Sequence, residues 1–144
     1  MSTRFTTERP LSVLLHAAAE DVLRRLRDGL HARGWREVTT PQLVLFGHLD
    51  CGATHAALIA QRLGVSRQAI SRTLRELETA GLVTLETDPD RGNRRLVVMT
   101  PRGERLALAA RAELAAIEAA LAERLGAGDA AALRRALERE WGGS

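Results

Sequence analysis

After Pro10, apolar residues recur at Leu11, Leu15, Ala18, Val22, Leu26 and Leu30, and this three-and-four spacing draws one stripe along a first helix that ends at Gly34. Thr40 followed by Pro41 has the form of an N-cap and first-turn pair, because an N–H at that proline would have had no partner anyway; a second helix is predicted from about Pro41 to Leu49. Gly52 breaks the chain, Thr54 is placed to cap a third helix, and HAALIAQRLG carries that helix to Gly64. Ser66 caps a fourth, which sets Ile70, Leu74 and Leu77 on one side and stops at Gly81.

The pattern then changes. LVTLET and RRLVVMT carry the β-branched and apolar residues that strands favour, and DPDRGN between them is a turn-forming cluster, so a hairpin is predicted. Pro101 opens a long helix whose stripe of Leu106, Ala110, Leu114, Ile117, Leu121 and Leu125 runs to Gly126, a length of roughly 35 Å at the helical rise. Asp129 is placed to cap a last helix lined by Leu133, Leu137 and Trp141.

At 144 residues the chain suffices for one domain with a hydrophobic core, and a single domain is expected. Alanine and leucine dominate and aromatics reach only 3%, which favours a mainly α fold with the hairpin as its one β element. No apolar run approaches the roughly 20 residues that would span a bilayer, and MSTRFTTERP lacks the features of a signal peptide, so no membrane partner and a cytoplasmic location are expected. The single cysteine cannot form an internal disulfide. All 21 basic residues are arginine, and their distribution says more than the net charge of +3. Residues 66 to 75 hold Arg67, Arg72 and Arg75 without an acid, and residues 91 to 102 hold Arg91, Arg94, Arg95 and Arg102 without one.

Helix, tight turn, helix and hairpin in residues 54 to 100 are the order of a winged helix-turn-helix. Leu58, Ile59 and Leu63 can pack on Ile70, Leu74 and Leu77, with LGVS as the turn, which leaves the first turns of the fourth helix free. There Ser66, Arg67, Gln68, Ser71, Arg72 and Arg75 suit a major groove: arginine pairs with guanine, glutamine with adenine, and the capped helix start holds a phosphate. Thr54, at the start of the third helix, is a further DNA-contact candidate, and Arg91, Arg94 and Arg95 near the hairpin tip can reach a minor groove or the flanking backbone. Double-stranded DNA is therefore the expected partner. A winged protein-interaction module is the alternative. No nucleophilic triad, paired catalytic carboxylates, phosphate loop or cofactor fingerprint is present, so neither an enzyme nor a cofactor is expected. The long and last helices have apolar faces with too little partner inside one small lobe, and a second copy of the chain would bury them.

LIAQRLGVSRQAISRTLRELETAGLVTLETDPD followed by LVVMTPRGE resembles the MarR family of bacterial transcriptional regulators, and the resemblance covers nearly the whole chain. It implies a homodimer in which residues 1–38 and 101–144 supply dimerisation helices and residues 40–100 the DNA-binding lobe. It also implies repression from a palindromic operator, relieved by a small effector bound among the first, second and long helices. His16, Ala19, Val22, His31, Trp35, Leu45, His48 and Arg111 are the candidate pocket residues on that basis, with Trp35 as the aromatic wall. One departure concerns the wing, which in many relatives reads Asp-x-Arg-Asp-x-Arg. Alignment on Asp88, Leu96 and Thr100 puts Arg91 at the second Asp and Asn93 at the second Arg, so the usual Asp to Arg brace is missing, and Asp88 or Asp90 can pair with Arg94 instead.

HLDCGATH sets Cys51 between His48 and His55. Imidazole and thiolate are zinc ligands, usually three or four together, and no fourth is evident. Zinc-sensing relatives draw ligands from the long helix, but residues 101 to 125 contain no His or Cys. Peroxide-sensing relatives carry their cysteine in the first helix. The segment is therefore expected to be a corner between helices, without a metal, and a metal- or thiol-responsive regulator using Cys51 is the alternative.

Overall fold

The computed structural model describes residues 8–50, 52, 54–92 and 94–143. They form α1 (Leu11–Ala32), α2 (Thr40–Asp50), α3 (Ala56–Leu63), α4 (Arg67–Thr79), β1 (Val83–Thr87), β2 (Arg95–Met99), α5 (Pro101–Leu125) and α6 (Ala127–Trp141). The order and type of every element are those that the apolar pattern and the helix start and stop residues predict. No described helix is long and apolar enough to cross a membrane.

One buried cluster joins the C-terminal end of α1 (Leu26, Leu30), the inner face of α2 (Leu43, Leu45, Phe46, Leu49), Ile59 of α3, Ile70, Leu74 and Leu77 of α4, and Leu106 of α5. Leu82, Val83 and Val97 extend it under the hairpin, whose antiparallel register runs from Val83 opposite Met99 to Thr87 opposite Arg95. The other edge of β2 is covered where Val97 N–H donates to the Thr54 carbonyl at 2.8 Å and His55 pairs with Leu96. That contact ties the wing to the start of α3 and leaves no long open strand edge there.

The tight turn of the helix-turn-helix rests on Gly64, whose φ of +63° is the left-handed conformation that a Cβ disfavours. It lets Gly64 N–H reach the Gln61 carbonyl and Val65 N–H the Ala60 carbonyl, a double closure that ends α3 and aims the chain into α4.

Three of the expected caps differ. Thr39, not Thr40, caps α2: its Oγ1 accepts from Gln42 N–H at 3.4 Å while Gln42 Oε1 accepts from Thr39 N–H at 3.3 Å. This reciprocal pair satisfies two free donors, and Thr40 is left to accept from Arg27 Nη1 at 3.4 Å. His55, not Thr54, occupies the cap position of α3, and no side chain caps it, because the Thr54 backbone is held by β2. Asp129 lies inside the first turn of α6, which starts directly after Gly126, where its charge suits the positive helix end without capping it.

The join between α4 and α5 is close. Thr100 caps α5 through a 3.0 Å bond from Gly103 N–H and donates its hydroxyl to the Gly81 carbonyl at 2.6 Å. A Cβ on Gly103 would fall well inside contact distance of the Leu82 carbonyl, a backbone atom that cannot swing away. Gly103→Ala is expected to destabilise the protein by on the order of 1 to 3 kcal/mol, read as a lower urea midpoint; an unchanged midpoint would show that the helices separate freely at this point.

Candidate nucleic-acid interface

The fourth helix is built to show one face. Ser66 Oγ accepts from Ala69 N–H at 3.2 Å, satisfying one free donor of the first turn. Ile70, Leu74 and Leu77, 4%, 3% and 0% exposed, hold the opposite side in the core, so Arg67, Gln68, Ser71, Arg72 and Arg75 are all exposed together. Arg72 is the most open of the ion-paired arginines, with a side chain 80% exposed and a loose 3.5 Å contact from Nε to Glu76 Oε1. Such an exposed pair contributes little to stability and is free to exchange for another anion. Glu76 was not singled out by the sequence; the buried Gln42 donates to its Oε2 from Nε2 at 3.3 Å, which fixes the acid behind the arginine row.

The wing adds to this face unevenly. Arg95 lines a small groove of about 290 Å³ with Ser71 and Arg75, so strand and helix arginines meet there. Arg91, Arg94 and Arg95 are exposed, and Arg94 N–H donates to the Arg91 carbonyl at 2.9 Å to close the hairpin turn. Asn93 lies outside the described residues.

Of the two aspartates open to Arg94, Asp88 takes another partner. Asp88 pairs with His55, whose Nε2–H donates to Asp88 Oδ2 at 3.0 Å, and not with the Arg94 side chain. Asp88 Oδ1 accepts from Asp90 N–H at 2.9 Å, and Asp88 N–H reaches the Arg94 carbonyl at 2.9 Å. His55 Nδ1 faces Thr54 Oγ1 at 3.4 Å. An imidazole from the start of α3 thus does the bracing that an arginine within the wing would otherwise do. The signal was faint in the sequence because 33 residues separate the partners.

The pocket candidates are dispersed. His16 is exposed and pairs with Glu20 at 3.2 Å, Leu45 is 1% exposed within the core, and His48 is half-buried on α2. His31 Nε2–H donates to the Val38 carbonyl at 2.9 Å. Arg111 of α5 holds Asp50 at the end of α2 through two donors, Nε at 2.8 Å and Nη2. Trp35 alone among them lines a cleft of about 720 Å³ between the α1–α2 turn, the second half of α4 and the start of α5. Of the metal or thiol candidates, His48, Cys51 and His55, the ring of His55 is engaged by Asp88 and Cys51 lies outside the described residues. Among the described residues no three His, Cys, Asp or Glu side chains gather as a metal site.

The hydrogen bond from His55, and after it the N–H of Asp90, hold the Asp88 carboxyl below the usual carboxylate range. A depressed aspartate stabilises the fold at every pH above its ordinary value, and that contribution disappears as pH falls through the depressed value. In a carbon-13 titration the Asp88 midpoint is expected below the ordinary aspartate value, and His55→Ala is expected to move it back up. A midpoint unmoved by His55→Ala would mean that the backbone, not the imidazole, holds the wing aspartate.

Residues 38–95, the helix-turn-helix and wing, match the MarR family model. MarR from Escherichia coli, in its apo form, is 22% identical with a TM-score of 0.76, over 93% of this chain and 98% of that one. A Mycobacterium tuberculosis MarR family protein in complex with salicylic acid is 28% identical, with a TM-score of 0.70 over 94% of this chain and 98% of that one. NadR in complex with 4-hydroxyphenylacetate is 23% identical, with a TM-score of 0.76 over 96% of each chain. No curated protein sequence matches. The match to the family model falls on the capped α4 and its braced wing, while the fold shared with these solved structures runs on through the long flanking helices; residues 38–95 are similar to the MarR family, and the chain has a winged helix-turn-helix fold.

Proposed function

We propose that the protein is a homodimeric repressor that binds a palindromic operator, one α4 in the major groove of each half-site, and releases it when a small effector binds. The observation that carries this reading is the exposed, acid-free first half of α4, with Ser66, Arg67, Gln68, Ser71, Arg72 and Arg75 on one side and the apolar stripe on the other. Arginine and glutamine there have the donors and acceptors that distinguish guanine and adenine edges. Arg91, Arg94 and Arg95 of the wing, with Thr54 beside its base, would contact the backbone or the minor groove.

The dimer is supported by what one chain leaves uncovered. Leu11, Val13 and Leu14 of α1, Leu108 and Leu125 of α5, and Leu133, Leu137 and Trp141 of α6 are all exposed, and α6 buries no residue of its own. Residues 1–38 and 101–144 would cover each other across a two-fold axis, leaving 40–100 as the reading lobe. Two lobes so related present recognition helices about one DNA turn, roughly 34 Å, apart. Salicylic acid and 4-hydroxyphenylacetate bound to two relatives support a small aromatic acid as the effector class. A cytoplasmic location goes with this reading.

Binding to a promoter-region palindrome is expected to exceed binding to scrambled DNA by at least about a thousandfold, with a log-log salt slope of about −0.9 per phosphate neutralised. Equal affinity for the two DNAs would overturn the reading and favour a protein-interaction module. Arg72→Ala is expected to weaken the specific complex by on the order of 1 to 3 kcal/mol and to relax preference at one base position. Unchanged selectivity in a competition assay would take Arg72 off the bases.

A further inference from the structure

We propose that Gln42 and Glu76 form a positioning relay from the start of α2 to the outward face of α4, and that the relay makes Arg72 a reader of bases where it would otherwise be one more phosphate contact. The inference rests on α4 being the DNA-reading helix, and it adds two residues that touch no base to those that decide which sequence is preferred.

Among the described residues only Gln42 and Asp88 are polar and buried, at 8% and 9% exposure. A buried amide keeps its place only when both of its ends have partners. Gln42 Oε1 accepts from Thr39 N–H at 3.3 Å, and Gln42 Nε2 donates to Glu76 Oε2 at 3.3 Å. Turning the amide over would set donor against donor and acceptor against acceptor, so one orientation is fixed. The second carboxylate oxygen, Glu76 Oε1, faces Arg72 Nε at 3.5 Å. Arginine followed four residues later by glutamate is the weaker order of such a pair on an isolated helix, so the two side chains alone would hold each other poorly. Gln42 supplies the anchor from a different helix, and it does so from a first turn already closed by its reciprocal bonds with Thr39.

The consequence lies in which donors remain. A guanidinium engaged through Nε keeps its terminal pair, Nη1 and Nη2, in one plane and spaced for the O6 and N7 acceptors of a guanine. In water the contact is weak, since the Arg72 side chain is 80% exposed. Against DNA, water is displaced and the same charges interact at a lower effective dielectric, so the pair tightens as the base is read. The carboxylate also opposes the phosphates. It cancels one positive charge on the face of α4, so Arg72 brings no net charge to arbitrary DNA and its contribution depends on the base that it meets.

Competition binding to an operator selected from random DNA and to its scrambled version tests the relay with the full chain. Glu76→Gln is expected to raise affinity for scrambled DNA at least about threefold, with a log-log salt slope steeper by about 0.9, and to lower the operator-to-scrambled ratio at least about fivefold. Gln42→Met, which keeps the volume without the donor, is expected to lower that ratio as well. Thr39→Ala breaks the same cap without touching Glu76, and is expected to lower the urea midpoint while leaving the ratio unchanged. In an Arg72→Ala background, Glu76→Gln is expected to change the ratio no further. An unchanged ratio in Glu76→Gln, or a Gln42→Met variant that behaves as Thr39→Ala does, would overturn the proposal. So would an equal loss of selectivity from Glu76→Gln with and without Arg72, because Glu76 would then read a base itself. A second arm without DNA measures the nitrogen-15 order parameter at Arg72 Nε, expected to fall in Gln42→Met and Glu76→Gln and to hold in Thr39→Ala; one value in all four proteins would show that nothing positions Arg72 and would overturn the relay. A wild type without sequence preference would retire the repressor reading and with it the relay's effect on specificity, while the order parameter would still decide whether Gln42 and Glu76 hold the arginine.

Discussion

The buried stripe of Ile70, Leu74 and Leu77 is the constraint on which the rest depends. Each of these side chains is no more than 4% exposed, and burying one of this size stabilises the fold by about 1.5 to 3 kcal/mol, more than any exposed ion pair in the molecule can offer. Because the stripe fixes the rotation of α4 about its own axis, it also fixes which residues face outward. Arg67, Gln68, Ser71, Arg72 and Arg75 are presented as a set for that reason, and the Ser66 cap and the left-handed Gly64 set where the set begins. A rotation of α4 by one residue would put Arg75 and Glu78, or in the other direction Glu76, into the core, at the large cost of a buried charge.

Around that helix the contacts differ in strength, and the difference bears on regulation. The α4–α5 join is made of backbone: Thr100 N–H on the Leu82 carbonyl at 3.1 Å and Gly103 packed against the same residue. It has little room to give. The links farther along α5, Arg111 to Asp50 and Glu113 to Arg33, are ion pairs between partly open side chains, each contributing of the order of a few tenths of a kcal/mol to 1 kcal/mol. Motion of the lobe relative to the long helix is therefore expected to break the ion pairs first and to pivot near the Thr100 corner. The cleft at Trp35 lies at that corner and has Arg102 in its wall.

Most of the fold was legible in the sequence because it is written in periodicity, which is local. Apolar stripes on five helices, the Thr40–Pro41 start of the second, a β-branched pair of segments and a turn cluster placed every element, and the outward row on α4 followed from the same count. The caps were harder, since adjacent residues compete for one position. Thr39 won over Thr40 because Gln42 could reciprocate, and His55 displaced Thr54 because β2 had taken the threonine's carbonyl. Asp88 and Asp90 were both open partners for Arg94, and Asp88 met His55 instead. The cleft was not legible: its walls come from the α1–α2 turn, α4 and α5, and of its lining only Trp35 had been marked as a pocket residue, while Arg72 and Arg75 had been marked for DNA. No periodicity reports which distant helices will leave a gap.

The most direct test of the central claim, that α4 reads the major groove as one of a two-fold pair, is methylation interference on an operator selected from random DNA. Methyl groups at guanine N7 project into the major groove. Two clusters of interfering guanines, their centres about one helical turn apart, are predicted, with interference at the corresponding guanine of both clusters weakened by Arg72→Ala. Interference confined to the minor groove, or a single cluster without a symmetric mate, would contradict the account.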